Sequence, residues 1–232
     1  DSVHLLAVNP HSRQGTLVGF PRDSYVDIPG RGRAKINDAL ARGGPDLLAE
    51  TVRRLTGLPV HYYVLTAFAG FEALVDDFGG LDVLVEHPMR DANSGAYLDP
   101  GWQRLSGAEA LAFARNRYGV ANGDFTRSEN QGRLMLAALG RLRAEVGDDA
   151  GLLEWLDRFL RHVQFDVPPA DLPRLAALAR ALDPDRVTNL VLPGRTGRAG
   201  AASVVFLSDA IGPLFDDIRG DGVLGDAEIL AP

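Results

Sequence analysis

The sequence predicts one α/β domain, a three-layer α/β/α sandwich with a central mixed β-sheet. Its 232 residues suit one large domain, and the composition of 46% hydrophobic and 24% charged residues leaves enough apolar mass for a core. Short apolar or β-branched runs alternate with amphipathic segments, as strands alternate with helices in this class. No linker, repeat or low-complexity segment divides the chain, so we expect a single domain over residues 1–232.

The first half predicts a hairpin followed by alternating helices and strands. A near-continuous apolar run over 3–8 is typical of a strand buried on both faces, and 16–20 follows as its hairpin partner. After a break at Pro21-Arg22-Asp23, the predicted elements are a helix over 34–42 ended by Gly43-Gly44, a helix begun by Pro45 and ended by Gly57, a strand over 61–66, a helix over 68–78 and a strand over 81–86. The polar stretch 87–104, rich in Asp, Pro and Gly, predicts a surface loop.

Two capping boxes predict helix starts in the second half. Ser106-x-x-Glu109 opens one helix and Thr126-x-x-Glu129 opens the next, which extends to about residue 146. The remaining predicted elements are helices over 152–162 and 171–182, a strand over 187–192, a Gly- and Arg-rich loop over 194–200, a strand over 203–207 and a helix ending near 218. The tail 219–232 is expected to be loosely structured.

Composition excludes several function classes. The formal net charge of -7 argues against nucleic-acid binding, which needs a basic surface. The absence of cysteine removes thiol nucleophiles and cysteine-bound zinc. No apolar run reaches the roughly 18 residues that a membrane span needs. Because the chain starts at Asp1, directly before an apolar strand, we expect the natural N-terminus to lie upstream.

Two motif matches near the C-terminus are set aside. Residues 220–225 match a dinucleotide-binding glycine pattern but follow no predicted strand. Residues 217–228 resemble a calcium loop, but Arg219 stands where an oxygen ligand belongs. There is no phosphate-binding Walker loop and no Gly-x-Ser-x-Gly elbow, so the commonest nucleotide and serine-hydrolase interpretations fail.

Arginines and acids at element boundaries carry the chemistry that remains. Arg115-Asn116-Arg117 ends one predicted helix, and Asp124-x-x-Arg127-x-x-x-Gln131 spans the start of the next. Arg22-Asp23 lies at a strand end, with Lys35-Ile36-Asn37 shortly after, and Lys35 is the only lysine. A planar guanidinium donates two parallel hydrogen bonds to phosphate oxygens, so this set of arginines favours phosphate chemistry. Each piece also fits a structural role, as a solvated helix end or a turn salt bridge.

Together these motifs resemble the LytR-CpsA-Psr family over about residues 1–135. The residues that carry the resemblance, in the family's order, are Asp1-Ser2-Val3-His4-Leu5-Leu6, Pro21-Arg22-Asp23, Lys35-Ile36-Asn37, Gly43-Gly44-Pro45, Gly79-Gly80-Leu81-Asp82-Val83, Leu105-Ser106-Gly107-x-x-Ala110-Leu111, Arg115-Asn116-Arg117 and Asp124-Phe125-x-Arg127-x-x-x-Gln131. The final third adds element order but no motif.

The resemblance implies a transferase anchored by an N-terminal membrane helix and acting at the extracytoplasmic face of the cell membrane. Its donor would be a glycan linked to polyprenyl pyrophosphate, held in an apolar lipid-binding channel, and its acceptor a peptidoglycan hydroxyl. The sugar 1-phosphate would be transferred and polyprenyl phosphate released, with Mg²⁺ assisting. The polymer stays open among teichoic acids, arabinogalactan and capsule, in a host that the Arg-rich composition predicts to be actinobacterial.

The resemblance also assigns roles to single residues. Asp1 would bind magnesium, and a second metal aspartate and an arginine would precede it. The pyrophosphate would be held by four arginines, Arg22, Arg115, Arg117 and Arg127. Gln131 supports them, while Asp124 either orients arginines or serves as base. Asp23 is the other candidate base, and Lys35 and Asn37 are expected to contact substrate.

Two alternatives to the transferase use the same residues. In a hydrolase, water would replace the peptidoglycan hydroxyl. In a non-catalytic regulator of the wall, the chain would only bind polyprenyl phosphate. The presence of a magnesium aspartate at Asp1 argues for catalysis, because binding alone would not need it.

Overall fold

The computed structural model describes residues 2–117 and 123–225, and the chain divides into two compact units. One unit comprises 1–63 and 188–232, and the other comprises 64–187. The single domain predicted over 1–232 stays a prediction. In the described ranges, no helix is both long and apolar enough to cross a membrane.

The first unit is built on a three-stranded sheet. Strands β1 (Val3–Asn9) and β2 (Gln14–Phe20) form the predicted antiparallel hairpin, and the third strand is β11 (Val187–Val191). Two further hairpins are β3 (Tyr25–Ile28) with β4 (Gly32–Lys35), and β12 (Gly194–Ala199) with β13 (Ala202–Leu207). Helices α1 (Ile36–Thr56, kinked at Gly44) and α7 (Ile211–Asp221) complete the unit.

The core of the first unit joins strands to both helices. Val18 and Phe20 of β2 pack in one cluster with Ile36 of α1 and with Leu214 and Phe215 of α7, and all five are at most 2% exposed. This burial explains why the strands form despite their short length, since each contributes an apolar face to the cluster.

The second unit is mainly helical. Its helices are α2 (Phe68–Asp77), α3 (Gly107–Arg115), α4 (Gly123–Glu145), α5 (Asp149–Leu160) and α6 (Leu172–Ala181), with a 3₁₀ turn at Pro184–Arg186. Its antiparallel strand pairs are β5 (Val64–Leu65) with β10 (Gln164–Phe165), β6 (Leu81–Val85) with β9 (Gly101–Leu105), and β7 (Met89–Asp91) with β8 (Ala96–Leu98).

Helix α3 is central to the second unit. The predicted capping box is present, because Ser106 Oγ accepts from the Glu109 backbone N–H and the Glu109 carboxylate accepts from the Ser106 N–H. Phe113, which is 1% exposed, packs in the cluster formed by α3, β6 and β8. The helix ends at Arg115, so its cap and its packing fix where the arginine segment begins.

The prediction of a loop over 87–104 is wrong. Met89, Asp91, Ala96 and Leu98 are buried at alternate positions of the hairpin β7–β8, and β9 completes the segment. The polar residues that suggested a loop form the turn between the strands, where Gly95 N–H donates to Asp91 O at 2.9 Å. Tertiary pairing therefore overrides the polar composition.

Five further predictions fail. The segment 194–200 is mostly strand β12, because it pairs along its length with β13. Thr126 lies inside α4, which begins at Gly123, so it is not an N-cap. The strand expected over 61–66 is reduced to Val64–Leu65, and β1 is not buried on both faces, since Leu6 is 48% exposed. Helix α7 reaches Asp221, so 219–221 are helical.

Candidate functional site

A tight turn presents Arg22 and Asp23 in the first unit. Ser24 closes it, because its backbone N–H and its hydroxyl both donate to Pro21 O, at 2.9 and 2.7 Å. Asp23 O accepts from the Val205 N–H at 2.8 Å, which fixes the turn against β13. Arg22 and Asp23 are both partly exposed, so their side chains are accessible at the strand end.

The single lysine pairs with the aspartate of this turn. Lys35 Nζ lies 2.9 Å from Asp23 Oδ2, with side chains 29% and 20% exposed. Lys35 ends β4, and α1 begins at the next residue. Asn37 lies in the first turn of α1, and its Oδ1 is buried without a hydrogen bond within the described part of the chain. A buried acceptor without a partner is costly, so this oxygen is suited to a ligand donor.

In the second unit, Asp124 joins two arginines. Its Oδ1 lies 3.2 Å from Arg117 Nη2 and 3.2 Å from Arg127 Nη2. The Arg127 side chain is 6% exposed, Asp124 is 21% exposed and Arg117 is 39% exposed. Arg127 is therefore the buried guanidinium and Arg117 the accessible one, and the Asp124 carboxylate orients both.

The approach of α4 to the end of α3 depends on Gly123. A Cβ at this position would lie 2.8 Å from Arg117 O, which a side chain could not tolerate. Gln131, one turn beyond Arg127, donates from Nε2 to Ala114 O at 3.0 Å and is buried. Gln131 therefore ties α4 to the last turn of α3, a supporting contact between the two arginine-bearing elements.

Arg115 points to an aromatic ring that the sequence did not single out. Its guanidinium carbon lies 5.3 Å from the centroid of Phe68, at the start of α2. Phe68 is 48% exposed, which is unusual for so large an apolar side chain. Stacking on the ring holds the guanidinium without neutralising its charge, so Arg115 stays available to an anion.

The sequence-predicted residues thus form two groups, one in each unit. In the first unit, Lys35 pairs with Asp23, and Arg22 and Asn37 flank them in sequence. In the second unit, Asp124 pairs with Arg117 and Arg127, while Gln131 and Arg115 make separate contacts. Asp1, the predicted magnesium ligand, lies outside the described residues. Across 2–117 and 123–225, no group of three or more His, Cys, Asp or Glu could hold a metal ion.

Sequence reasoning missed Asp91, whose carboxylate accepts a hydrogen bond from the Arg117 backbone N–H. Asp91 is 4% exposed, and its carboxylate accepts from Ser94 Oγ at 2.7 Å and from Asn93 N–H at 2.9 Å. Burial acts to raise the pKa of Asp91, but hydrogen bonds from Ser94 and from the backbone N–H groups of Asn93, Ser94 and Arg117 outweigh it, so the pKa lies below its ordinary value. In the sequence, only the motif Asp-x-Asn-Ser marks this segment, and that motif predicts a turn rather than a functional site.

We expect Asp91→Asn to lose stability at neutral pH and to lose less of it in acid. A carboxyl whose folded pKa is lowered stabilises the fold above its unfolded pKa of about 3.9, and that contribution disappears as the pH falls through the folded value. Urea unfolding of both proteins at neutral pH and at acid pH measures the gap between them. Asp99→Asn, a change at a 79% exposed aspartate, is the matched control. A gap that is the same at both pH values would contradict the prediction.

The comparisons with known proteins agree on one family. The LytR_cpsA_psr family model matches residues 1–211. A Bacillus cereus protein named polyisoprenyl-teichoic acid–peptidoglycan teichoic acid transferase TagU is 37% identical over 140 residues, which cover 60% of this chain and 45% of the relative. The Oceanobacillus iheyensis protein of that name is 34% identical over 184 residues, covering 77% of this chain and 56% of the relative. A probable cell wall biosynthesis protein LcpB of Corynebacterium glutamicum is 38% identical over 130 residues, 56% of this chain and 31% of the relative.

The chain spans about half the length of the curated relatives it matches. Among solved structures, Bacillus subtilis TagV is similar at a TM-score of 0.81 and 25% identity, covering 95% of this chain and 86% of that one. TagT bound to LI-WTA is similar at a TM-score of 0.79 and 24% identity, covering 97% and 85%. These likenesses confirm the α/β class of the fold.

Proposed function

Because this chain belongs to the LytR-CpsA-Psr family, we propose that it transfers a glycopolymer from a polyprenyl pyrophosphate carrier to a peptidoglycan hydroxyl. The observation that carries the proposal is the Arg117–Asp124–Arg127 cluster, in which one carboxylate holds two guanidiniums at 3.2 Å. The curated relatives are named as transferases between a polyisoprenyl-linked teichoic acid and peptidoglycan, which supports this donor and this acceptor.

The reaction is a phosphoryl substitution. The peptidoglycan hydroxyl oxygen forms a bond to the sugar-bearing phosphorus, the bond from that phosphorus to the lipid phosphate oxygen breaks, and the hydroxyl proton passes to a base. Negative charge accumulates on the departing polyprenyl phosphate. Arginines aimed at these oxygens before the substrate arrives stabilise that charge without reorganising, which is the main contribution a protein makes to such transfers.

The geometry of the second unit suggests a role for each of its residues. Arg117 and Arg115, the more accessible pair, would contact the pyrophosphate oxygens, with Arg127 adding a buried positive charge. Since Asp124 Oδ1 already accepts contacts from two guanidiniums, we assign it to orienting them.

The residues of the first unit receive separate roles. Asp23 is the candidate base, and Lys35 Nζ holds its carboxylate at 2.9 Å. Arg22 is proposed to bind the pyrophosphate and Asn37 the substrate.

Magnesium binding at Asp1 remains part of the proposal. The described residues do not build a metal site by themselves, and no step is assigned to the ion. When bound, magnesium would neutralise charge on the pyrophosphate. Titration of a protein extended upstream of Asp1 with Mg²⁺ in a calorimeter tests the assignment, since heat of binding that disappears in Asp1→Asn supports it and unchanged heat contradicts it.

We further propose that the full-length protein acts on the extracytoplasmic face of the cell membrane, held by a helix N-terminal to Asp1, with a lipid-binding channel for the polyprenyl chain. Support comes from the family alone. Protease added to intact protoplasts would digest the domain if this is right, and protection equal to that of a cytoplasmic marker would contradict it.

A transfer assay tests the central proposal. The protein, extended upstream, is combined with lipid-pyrophosphate-linked donors of the teichoic, arabinogalactan and capsule types, peptidoglycan oligomers and Mg²⁺, and the products are identified by mass spectrometry. A phosphodiester-linked glycan on peptidoglycan, lost in Arg115→Ala and retained in Arg174→Ala, is the expected result; Arg174 is a 74% exposed arginine of the same unit.

Two other results would replace the proposal. Donor cleavage without a peptidoglycan product would identify a hydrolase. A donor that binds without turnover, with an affinity unaffected by Mg²⁺, would identify a polyprenyl-phosphate-binding regulator.

A further inference from the structure

Two adjoining grooves of the first unit have no role in the proposed chemistry. One, of about 450 Å³, lies between β3, β4 and the start of α7, and the other, of about 540 Å³, lies between the start of β12 and the end of β13. Both are lined by residues 206–209, so they flank the end of β13. Each volume is in the range of small-ligand pockets, about 300–1,000 Å³.

The first groove is lined by residues of the β3–β4 hairpin, which also carries Lys35. In the hairpin β3–β4, Tyr25 is opposite Lys35 and Asp27 is opposite Arg33. Side chains that face each other across a pair, or that lie two residues apart, share a face of the sheet. One face therefore presents all four side chains, while the other face buries Val26 and Ile28 in the core.

Two aromatic rings form the floor at the junction of the two grooves. Tyr25 and Phe206 meet edge to face with their centroids 5.9 Å apart. Arg33 lies over the Tyr25 ring at 4.9 Å, and Arg195 over the Phe206 ring at 5.4 Å. Gly197 makes room for Phe206, because a Cβ there would lie 2.8 Å from Phe206 Cε2. The rings are thus held half-exposed at the junction of both grooves.

The charged groups along the grooves form no ion pairs with the residues that the structure describes. Among the described residues, Asp27, Asp209 and Arg195 form no ion pair, and Arg33 donates only to Tyr25 O, at 3.2 Å. Asp27 and Arg33 form no salt bridge although they are opposite in register. These carboxylates and guanidiniums therefore keep their hydrogen-bonding capacity for a ligand.

We propose that these grooves bind the N-acetylhexosamine strand of the peptidoglycan acceptor. The half-exposed rings offer apolar contact to the C–H groups of a pyranose beside the guanidiniums that lie over them, and the carboxylates and guanidiniums can bond its hydroxyls. Leu55 and Ile211 give an apolar wall for the acetyl methyl groups. Two acids balance two arginines, so the surface favours an uncharged glycan over a polyanionic phosphoglycan, which would meet Asp27 and Asp209. The identification of this glycan as the acceptor rests on the proposed function.

The test is glycan binding observed by NMR, which does not depend on turnover. A chitin tetrasaccharide, as the probe for an N-acetylhexosamine strand, is titrated into ¹⁵N-labelled protein. Shifts confined to amides of β3, β4 and the end of β13 are expected. Arg195→Ala and Asp27→Asn should each weaken binding by about tenfold, the loss of one charge-assisted hydrogen bond. Arg198→Ala is the matched control, since Arg198 is an exposed arginine of β12 outside both grooves.

The possible outcomes separate the two proposals. Binding that these variants weaken, together with a raised acceptor KM at unchanged donor affinity, supports the acceptor site. Tetrasaccharide binding without any transfer keeps the glycan site but removes the transferase. No shifts at millimolar tetrasaccharide, or shifts caused only by a teichoic-type phosphoglycan, would overturn the inference. Because both altered side chains are exposed, a folding defect is not expected, and the Tm of each variant checks this.

Discussion

Transfer should fall by about 10²–10³-fold when Arg127 is replaced by alanine, the effect of removing one preorganised charge donor. Arg127 is the buried member of the cluster, with 6% of its side chain exposed, and its Nη2 lies 3.2 Å from Asp124 Oδ1. Its removal also takes away one of the two contacts that fix Asp124, the carboxylate that orients the accessible Arg117. We therefore expect kcat to fall more than donor affinity.

Arg127→Lys separates chemistry from folding. Truncating one partner of a buried ion pair costs about 3–5 kcal/mol of stability, so Arg127→Ala is expected to lower the Tm as well. Lysine keeps the positive charge, but it lacks the planar guanidinium that can bond the Asp124 carboxylate and a phosphate at the same time. The lysine variant should fold and still be impaired. Arg143→Ala, on the same helix but 46% exposed, should transfer normally. Full activity in a folded Arg127→Lys protein would remove the cluster from the mechanism.

The second large effect is on stability. We expect Phe113→Ala to lower the free energy of unfolding by about 3–5 kcal/mol, the usual result of truncating a buried phenylalanine. Phe113 is 1% exposed and packs between α3 and the strands β6 and β8. Since α3 ends at Arg115, loosening of this packing also releases the arginine segment, and activity should fall with stability.

Phe68→Ala is the matched control for this change. It removes the same side chain from a position that is 48% exposed, where most substitutions change stability by less than about 0.5 kcal/mol. Phe68 nevertheless supports Arg115, so this variant should keep its Tm and lose part of its activity. Urea unfolding and the transfer assay on both variants make the comparison. If both variants lost the same amount of stability, the packing of Phe113 in the core would not be what stabilises α3.

Local patterns predicted most helices well and polar segments poorly. The Ser106 capping box and the stop at Gly57 are local hydrogen-bonding and backbone effects, and both occur as predicted. The stretches 87–104 and 194–200 were misjudged because β7 pairs with β8, β9 with β6 and β12 with β13, and local composition does not reveal these pairings. Thr126 matched a capping box by spacing, but α4 had already begun at Gly123.

The sequence by itself determined the family and the identity of the arginines, because residue type and order survive in the chain whatever its fold. It could not decide which side chains meet. That Asp124 holds Arg117 and Arg127 together, that Asp91 fixes the backbone of Arg117 and that Arg115 rests on Phe68 follow from tertiary packing. These contacts join residues up to 47 positions apart, and only burial and the meeting of helices with strands bring them within reach of one another.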